Sequence, residues 1–268
     1  MGTKVKKFFV IGNPIEHSMS PKLQNKWLKE NNIPAIYEKI KLEENEIKSF
    51  IRDIKNQKVT GCNVTVPYKK KVIPFLNKLT IEAQKTQSVN TIAFDDGNLI
   101  GHNTDIIGFE NAVKNLNFNM KSKKILILGA GGVVPSIVYA LKNMQVKEII
   151  ISNRTKEKAE NLKNLFNFLK VVEWGNLPDF DVIINATSLG LNNEIIKLDF
   201  SSEIKNKLFY DVIYNPPESN FLKKGKELGN MTENGQAMFI YQALEAFKIW
   251  HKKEPKINSD IYKFLSND

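Results

Sequence analysis

The sequence predicts an α/β protein of two domains, and three observations carry that prediction. Short apolar runs rich in β-branched residues alternate with segments whose apolar residues recur at helical spacing, the pattern of sheets covered by helices. One of these runs, Ile125, Leu126, Ile127 and Leu128, leads directly into Gly129-Ala130-Gly131-Gly132. A chain of 268 residues with 42% hydrophobic content is long enough to bury two cores.

The glycine stretch is the most informative element. The unbroken run before it has the pattern of a parallel strand buried on both faces. Beyond it Val134, Ile137, Val138 and Leu141 recur at helical spacing, and Pro135 fits the first helical turn, where its missing N–H removes no intrahelical bond. A strand, a glycine turn and a helix start let backbone approach a ligand and aim unpaired N–H groups at a diphosphate. A dinucleotide is the expected guest, although Val134 stands where the usual third glycine would be.

A second apolar run, 148–152, ends in Asn153-Arg154-Thr155, about 20 residues past the glycines, where this arrangement reads the ribose. No carboxylate stands there. An acid would repel a 2′-phosphate, whereas Arg154 can pair with one through two parallel N–H bonds. The cofactor therefore reads as NADP. The competing reading makes Arg154 one more arginine on a surface turn, and its position in the motif decides against that.

From the N-terminus, residues 8–11 form a first strand leading into the loop GNPIEHSMSP. Ser20 before Pro21 reads as a helix N-cap followed by proline at the first helical position. Ser18 has no such explanation, and two hydroxyls so close in a loop after a strand suit a polyhydroxylated ligand. His17 reads as an ordinary loop histidine. Residues 35–42 form the next strand, and Ile47, Phe50, Ile51 and Ile54 the apolar stripe of the helix after it. In 59–66, strand alternation puts Cys62, Val64 and Val66 on a packed face and Asn63 with Thr65 on a polar one. Pro67 is expected to end that strand and open a helix, placing Lys69 in its first turn near Thr65, with Lys70 and Lys71 toward solvent.

Residues 88–94 and 99–104 flank Asp95-Asp96-Gly97-Asn98, a hairpin signal. Asp105 follows and, taken alone, reads as the cap of a helix carrying Ile106, Phe109, Val113 and Leu116; His102 reads as structural. After the glycine motif, apolar strands at 171–172, 181–185 and 208–213 continue a parallel sheet, with Leu162, Leu165 and Phe166 in an intervening helix. Tyr214-Asn215-Pro216-Pro217 ends the last clear strand, and a helix after Gly235 carries Met238, Tyr241, Gln242, Leu244, Ala246 and Trp250.

Composition narrows the function classes. The net charge of +10 comes from lysines scattered over different elements, not from a gathered basic face, so a nucleic-acid partner is not expected. No apolar segment approaches the ~18 residues of a membrane span, and the N-terminal apolar run is too short for a signal peptide. Cys62, the single cysteine, excludes an intrachain disulfide and points to a reducing cytoplasm. No metal-ligand spacing occurs, so no metal is expected.

Taken together, the motifs resemble the shikimate dehydrogenase family. The matching stretches are 12–21, 61–69 (GCNVTVPYK), 89–91, 103–105, 129–132, 153–155, 185–188 (NATS), 211–216 (DVIYNP) and 235–242 (GQAMFIYQ). They span nearly the whole chain in family order. The resemblance implies an enzyme interconverting 3-dehydroshikimate and shikimate with NADP, on the route to chorismate and aromatic amino acids. It implies a substrate domain, 1–104 with 240–268, and an inserted Rossmann-type NADP domain, 105–239, the C-terminal helix returning to the first domain and the active site lying in a cleft. Lys69 and Asp105 would form the catalytic pair. Ser18 and Ser20 would bind the substrate carboxylate, while Thr65, Asn90, Tyr214 and Gln242 would help hold the ligand. Gly129, Ala130, Gly131, Gly132, Asn153, Arg154 and Thr155 would hold NADP, with Thr187, Gly235 and Met238 at the nicotinamide end. Departures are Gln24, where histidine is common, and Ile106-Ile107, where a glycine is usual. Two rival functions are a quinate/shikimate dehydrogenase using NAD and a non-catalytic NADP-binding regulator; a homodimer is left open.

Overall fold

The computed structural model describes residues 5–201 and 204–266. The chain divides into two compact units: one takes the residues up to Gly108 and those from Ile240 onward, and the other is Phe109–Phe239.

The first unit opens with β1 (Lys6–Gly12), α1 (Ser20–Glu30), β2 (Ala35–Lys41), α2 (Ile47–Lys55) and β3 (Gly61–Val64). It continues through β4 (Lys78–Leu79), α3 (Ile81–Thr86), β5 (Thr91–Asp95) and β6 (Asn98–His102) into α4 (Asp105–Asn115). The sheet order is β2-β1-β3-β5-β6-β4, with β1 parallel to both neighbours and β5 antiparallel to β3 and β6. The expected hairpin forms, Asp96 and Gly97 both at positive φ, as a tight turn between twisted strands requires. On one face α2 lays Ile47, Phe50, Ile51 and Ile54 against Phe9, Ile11, Cys62 and Val64.

The second unit contains β7 (Lys124–Leu128), α5 (Val134–Asn143), β8 (Glu148–Ser152), α6 (Lys156–Leu165), β9 (Lys170–Val172) and β10 (Val182–Asn185). After these come β11 (Leu208–Asp211), α7 (Asn220–Glu227) and β12 (Met231–Glu233). Every pairing is parallel, and the order is β12-β11-β10-β7-β8-β9. Counted within the unit this is the 3-2-1-4-5-6 order of a doubly wound nucleotide-binding sheet. Its core centres on Phe209, which packs edge-on or tilted against Phe180, Phe200 and Phe221. Gly225 of α7 is there because a Cβ would stand 2.6 Å from the Phe209 ring.

The last helices are α8 (Gln236–His251) and α9 (Ser259–Ser266). The end of α8 covers the other face of the first sheet with aromatic contacts, Phe8 to Trp250 at 5.0 Å and Trp27 to Phe247 at 5.8 Å. Trp250 Nε1 donates to the Ile92 carbonyl at 3.1 Å, and a Cβ on Gly61 would come within 2.6 Å of that nitrogen. Glycine at the start of β3 is therefore what lets the indole reach the sheet. No helix among the described residues is long and apolar enough to cross a membrane.

Several local expectations are corrected. The first residue of α1 is Ser20 itself, Met19 occupies the N-cap without a side-chain bond, and Ser18 Oγ accepts the Ser20 N–H at 3.4 Å. Ser18 thus has a local role that its sequence position does not advertise. Val66 lies beyond the end of β3 and is 47% exposed, not packed. Leu165 is also exposed, because α6 ends there and only Ala159 and Leu162 face inward. Strand β12 escapes the apolar pattern: it is three residues long, Met-Thr-Glu, on an edge.

His251 makes a stability prediction possible. Packed against Phe8 and Phe247, it is pushed down to about 4 by burial, with Lys6 and Lys253 adding repulsion. A histidine held neutral in the fold and titrating near ~6.5 when unfolded contributes stability that is complete above ~6.5 and lost as pH falls toward the folded value. Between pH ~6.5 and ~4.5 the melting temperature of the natural chain should therefore fall more steeply than that of His251→Gln, measured by thermal denaturation in matched buffers.

Candidate active site

The site in the first unit is built where β3, β5 and β6 hand the chain into loops. Lys69 does not stand in a helix. Pro67 has no N–H to give, the Tyr68 N–H bonds the Thr65 carbonyl at 2.9 Å, and the Lys69 carbonyl is taken at 2.9 Å by the N–H of Val89. With that carbonyl diverted the helical ladder cannot propagate, and the segment runs as consecutive turns. This leaves Lys69 half-buried between the exposed Lys70 and the buried Tyr68.

Lys69 Nζ lies 2.6 Å from Asp105 Oδ2, and the two side chains are only 11% and 7% exposed. The other carboxylate oxygen, Oδ1, accepts from Asn90 Nδ2 at 2.9 Å. Asn90 also donates to Thr104 Oγ1 at 2.9 Å, and its Oδ1 accepts the Thr104 N–H at 2.8 Å. Reading Asp105 as a plain helix cap is thereby corrected: the N–H of Asp105 is satisfied by Asn103 Oδ1 at 3.2 Å, and its carboxylate is turned to Lys69. Charge pairing and two directional hydrogen bonds hold an ammonium donor in one orientation with little water around it.

The polar strand face has a partly different purpose from the one its alternation implies. Asn63 is 7% exposed; it accepts from Tyr37 Oη at 2.6 Å and donates to the Asn90 carbonyl at 3.1 Å and Thr91 Oγ1 at 2.9 Å. It binds β2, β3 and β5 together from inside. The Tyr37 hydroxyl also faces the Ser20 side chain at the start of α1, which ties Ser20 to this network. Thr65 and Ser18 are half-buried, Ser20 is buried, and Gln242 is half-buried on α8. Because Ser18 Oγ accepts a backbone N–H, its own proton stays available to an anion.

Tyr214 and the nucleotide set belong to the second unit. Gly129 has φ +110°, and a Cβ there would stand 2.7 Å from the Ala186 carbonyl. At Gly131 the nearest atom would be 3.8 Å away, an ordinary contact, so the protein itself does not demand glycine. Gly131 and Gly132 are exposed at the start of α5, while Val134, in place of a third glycine, is fully buried and packs as core. Thr187 Cγ2 would meet a Gly129 Cβ at 3.1 Å, which places the turns after β7 and β10 side by side where the sheet order reverses. Arg154 and Thr155 are exposed after β8, and among the described residues no carboxylate pairs with Arg154. Tyr214 stacks on Phe239 at 4.7 Å, and Met238 is buried.

Sequence reasoning passed over a buried polar knot in this unit. Asp211 Oδ1 accepts from Asn185 Nδ2 and the Ile213 N–H, each at 3.0 Å, and Oδ2 accepts from Ser219 Oγ at 2.5 Å. Burial pushes the Asp211 carboxyl up, and these three bonds oppose the shift. Thr187 Oγ1 donates to Asn185 Oδ1 at 2.7 Å, so its hydroxyl belongs to the same knot. The available signal was a polar residue closing each apolar strand, in VIIN and LFYD.

A doubly wound parallel sheet with a glycine turn at its switch point, in a chain that also holds an enclosed lysine–carboxylate pair, is the makeup of a dinucleotide-dependent oxidoreductase. Comparison with known proteins narrows the class. Residues 10–92 match the family described as shikimate dehydrogenase substrate binding domain, and residues 110–213 the family shikimate / quinate 5-dehydrogenase. A shikimate dehydrogenase (NADP(+)) from Pelagibacter ubique (strain HTCC1062) is 52% identical over 97% of this chain and 98% of its own length. The shikimate 5-dehydrogenase of Listeria monocytogenes, solved with shikimate and NAD, superposes with a TM-score of 0.89 at 28% identity, covering 97% and 96% of the two chains. That of Thermus thermophilus, solved with NADP(H) and shikimate, gives 0.87 at 28% identity over 97% and 98%. The chain belongs to the shikimate dehydrogenase family.

The glycine geometry yields a stability test. A Cβ on Gly235 would lie 2.1 Å from the Val212 carbonyl oxygen, an overlap that only a backbone shift relieves, whereas Gly131 has room. Gly235→Ala should lower stability by at least ~1–3 kcal/mol. Gly131→Ala should leave the melting temperature nearly unchanged, and thermal melts of both variants decide it.

Proposed function

We propose that this chain interconverts 3-dehydroshikimate and shikimate with NADP as the redox partner. The observation that carries the reading is the Lys69–Asp105 pair, 2.6 Å apart and almost shut off from water, in a chain of this family. In ketone reduction the carbonyl carbon gains a hydride and its oxygen becomes alkoxide-like. Lys69 Nζ–H stabilises that developing charge and delivers the proton, so one hydride and one proton make the alcohol. Asp105 Oδ2 orients the ammonium, and Asn90 fixes Oδ1 so that the carboxylate does not rotate.

The remaining roles follow the same assignment. Ser18 and Ser20 bind the substrate carboxylate, and Thr65, Asn90, Tyr214 and Gln242 help hold the ligand. The unit containing β1–β6 serves as substrate domain and Phe109–Phe239 as the cofactor domain, its start four residues later than the sequence suggests. The residues present fit NADP: no protein atom crowds the position of a Cβ at Gly131, α5 begins beside it, and Arg154 is exposed and unpaired by any carboxylate among the described residues. Gly129, Ala130, Gly131 and Gly132 would hold the diphosphate and Asn153, Arg154 and Thr155 the 2′-phosphate, while Thr187, Gly235 and Met238 line the nicotinamide end. The cofactor, when bound, would supply the hydride as NADPH and accept it as NADP+.

The test is a spectrophotometric assay of shikimate with NADP and with NAD. Lys69→Ala should lose ~10²–10⁴-fold in turnover while binding NADP normally. Exposed Lys70→Ala is the control and should be near neutral. Near-normal turnover in the Lys69 variant, or equal losses in both, would remove the chemical role.

Cofactor choice is tested separately. Arg154→Ala removes a charge-assisted contact of ~1.5–3 kcal/mol and should raise the NADP Michaelis constant roughly 10- to 100-fold with little change for NAD. An unaltered NADP constant would return Arg154 to the solvent-exposed surface.

A further inference from the structure

We propose that Asn103 is a positioning residue for the Lys69–Asp105 pair; the inference rests on the reading of that pair as the reacting one. Asn103 is 4% exposed and lies between β6 and α4. Its Oδ1 accepts the backbone N–H of Asp105 at 3.2 Å. Its Nδ2 donates to Thr86 Oγ1 and to the Ser88 carbonyl, each at 3.0 Å. Thr86 is itself anchored, its hydroxyl donating to the Glu82 carbonyl at 2.7 Å at the end of α3.

The same segment fixes the other partner. The N–H of Val89, next to Ser88, donates to the Lys69 carbonyl at 2.9 Å. Asn90, one residue further, holds the Asp105 carboxylate at 2.9 Å. Residues 86–90 therefore act as a common reference: Lys69 is attached to it through its backbone, and Asp105 through its backbone by way of Asn103 and through its carboxylate by way of Asn90. The separation of ammonium and carboxylate is set by this segment rather than by the two side chains finding each other.

A primary amide suits this position because it offers an acceptor toward one backbone and two donors toward a hydroxyl and a carbonyl. Aspartate keeps the acceptor and the shape but has no donor, and its charge would face the Ser88 carbonyl. Serine keeps a helix-capping oxygen yet is too short to reach Thr86 and Ser88 as well. Losing the clamp lets the start of α4 shift against Lys69, and small misplacements of reacting groups cost far more in rate than in binding.

The experiment uses the whole chain with 3-dehydroshikimate and NADPH, protio or deuterated at the transferred position. Asn103→Ser should fold with a lowered melting temperature, because two buried donor bonds are lost, and keep its NADPH Michaelis constant. Its turnover should fall roughly 10- to 100-fold, and the primary isotope effect on turnover should grow as hydride and proton transfer become limiting. Asn103→Asp is the second variant should the serine form not fold, with the same expected loss. Asn77→Ala removes an acceptor bonded to the Leu99 N–H at 2.9 Å, on an exposed residue of the same unit away from the pair; it should lower the melting temperature without touching turnover or isotope effect. Natural turnover in Asn103→Ser, or the same kinetic loss in Asn77→Ala, overturns the proposal. Asp105→Asn separates the two levels: if it retains turnover, the reading of the pair falls; if it loses turnover while the folded Asn103 variants do not, only the positioning role falls.

Discussion

The first unit is organised around one carboxylate. Asp105 offers two oxygens, one to the Lys69 ammonium and one to the Asn90 amide, and neither side chain has much water to fall back on. Such a pair is costly to assemble, and leaving either partner alone in the same place would cost about 3–5 kcal/mol. The surrounding architecture answers that constraint. The hairpin of β5 and β6 brings Asn90 and Thr104 within bonding distance, and the antiparallel pairing of β3 with β5 carries the turn bearing Lys69 to the same point. Asn63, looking inward from β3, bonds the backbone of Asn90 and thereby links the sheet's interior to the charge pair.

The second unit solves a different problem, that of keeping two turns open for backbone approach. Gly129 and Gly235 are required by the protein's own crowding, from the carbonyls of Ala186 and Val212, whereas Gly131 is not. Three glycines of similar appearance in the sequence thus do different work. Below the turns, Asp211 gathers Asn185 and Ser219 into a buried knot, so the loops after β10 and β11 share one set of hydrogen bonds.

Much of this was legible in the amino-acid order, for identifiable reasons. Ile125 through Leu128, with the glycines and Val134, Ile137 and Val138 behind them, combines a periodicity switch with a turn signal, and both are local. The hairpin at Asp96-Gly97 is equally local. What escaped depends on partners distant in sequence. Nothing near Lys69 announces that its carbonyl is claimed by Val89, so a helix looked natural after Pro67. Asn63 and Asn103 are polar residues in good strand or loop positions, and only the folded chain shows that Tyr37, Thr86 and Ser88 complete them. Short or edge elements such as β12 carry too few residues for any period to show.

Trp250 reaches back across 158 residues to the carbonyl of Ile92, through the space left by Gly61. This has a consequence for the order in which a ribosome delivers the molecule. The first unit lacks one of its covering helices until α8 has emerged, whereas Phe109–Phe239 is contiguous and has all its strands beforehand. Domains generally form as units during synthesis, the N-terminal one first. The strands of the middle unit are thus all synthesised before α8, which supplies the Trp250 and Phe247 rings that pack on Phe8 and Trp27.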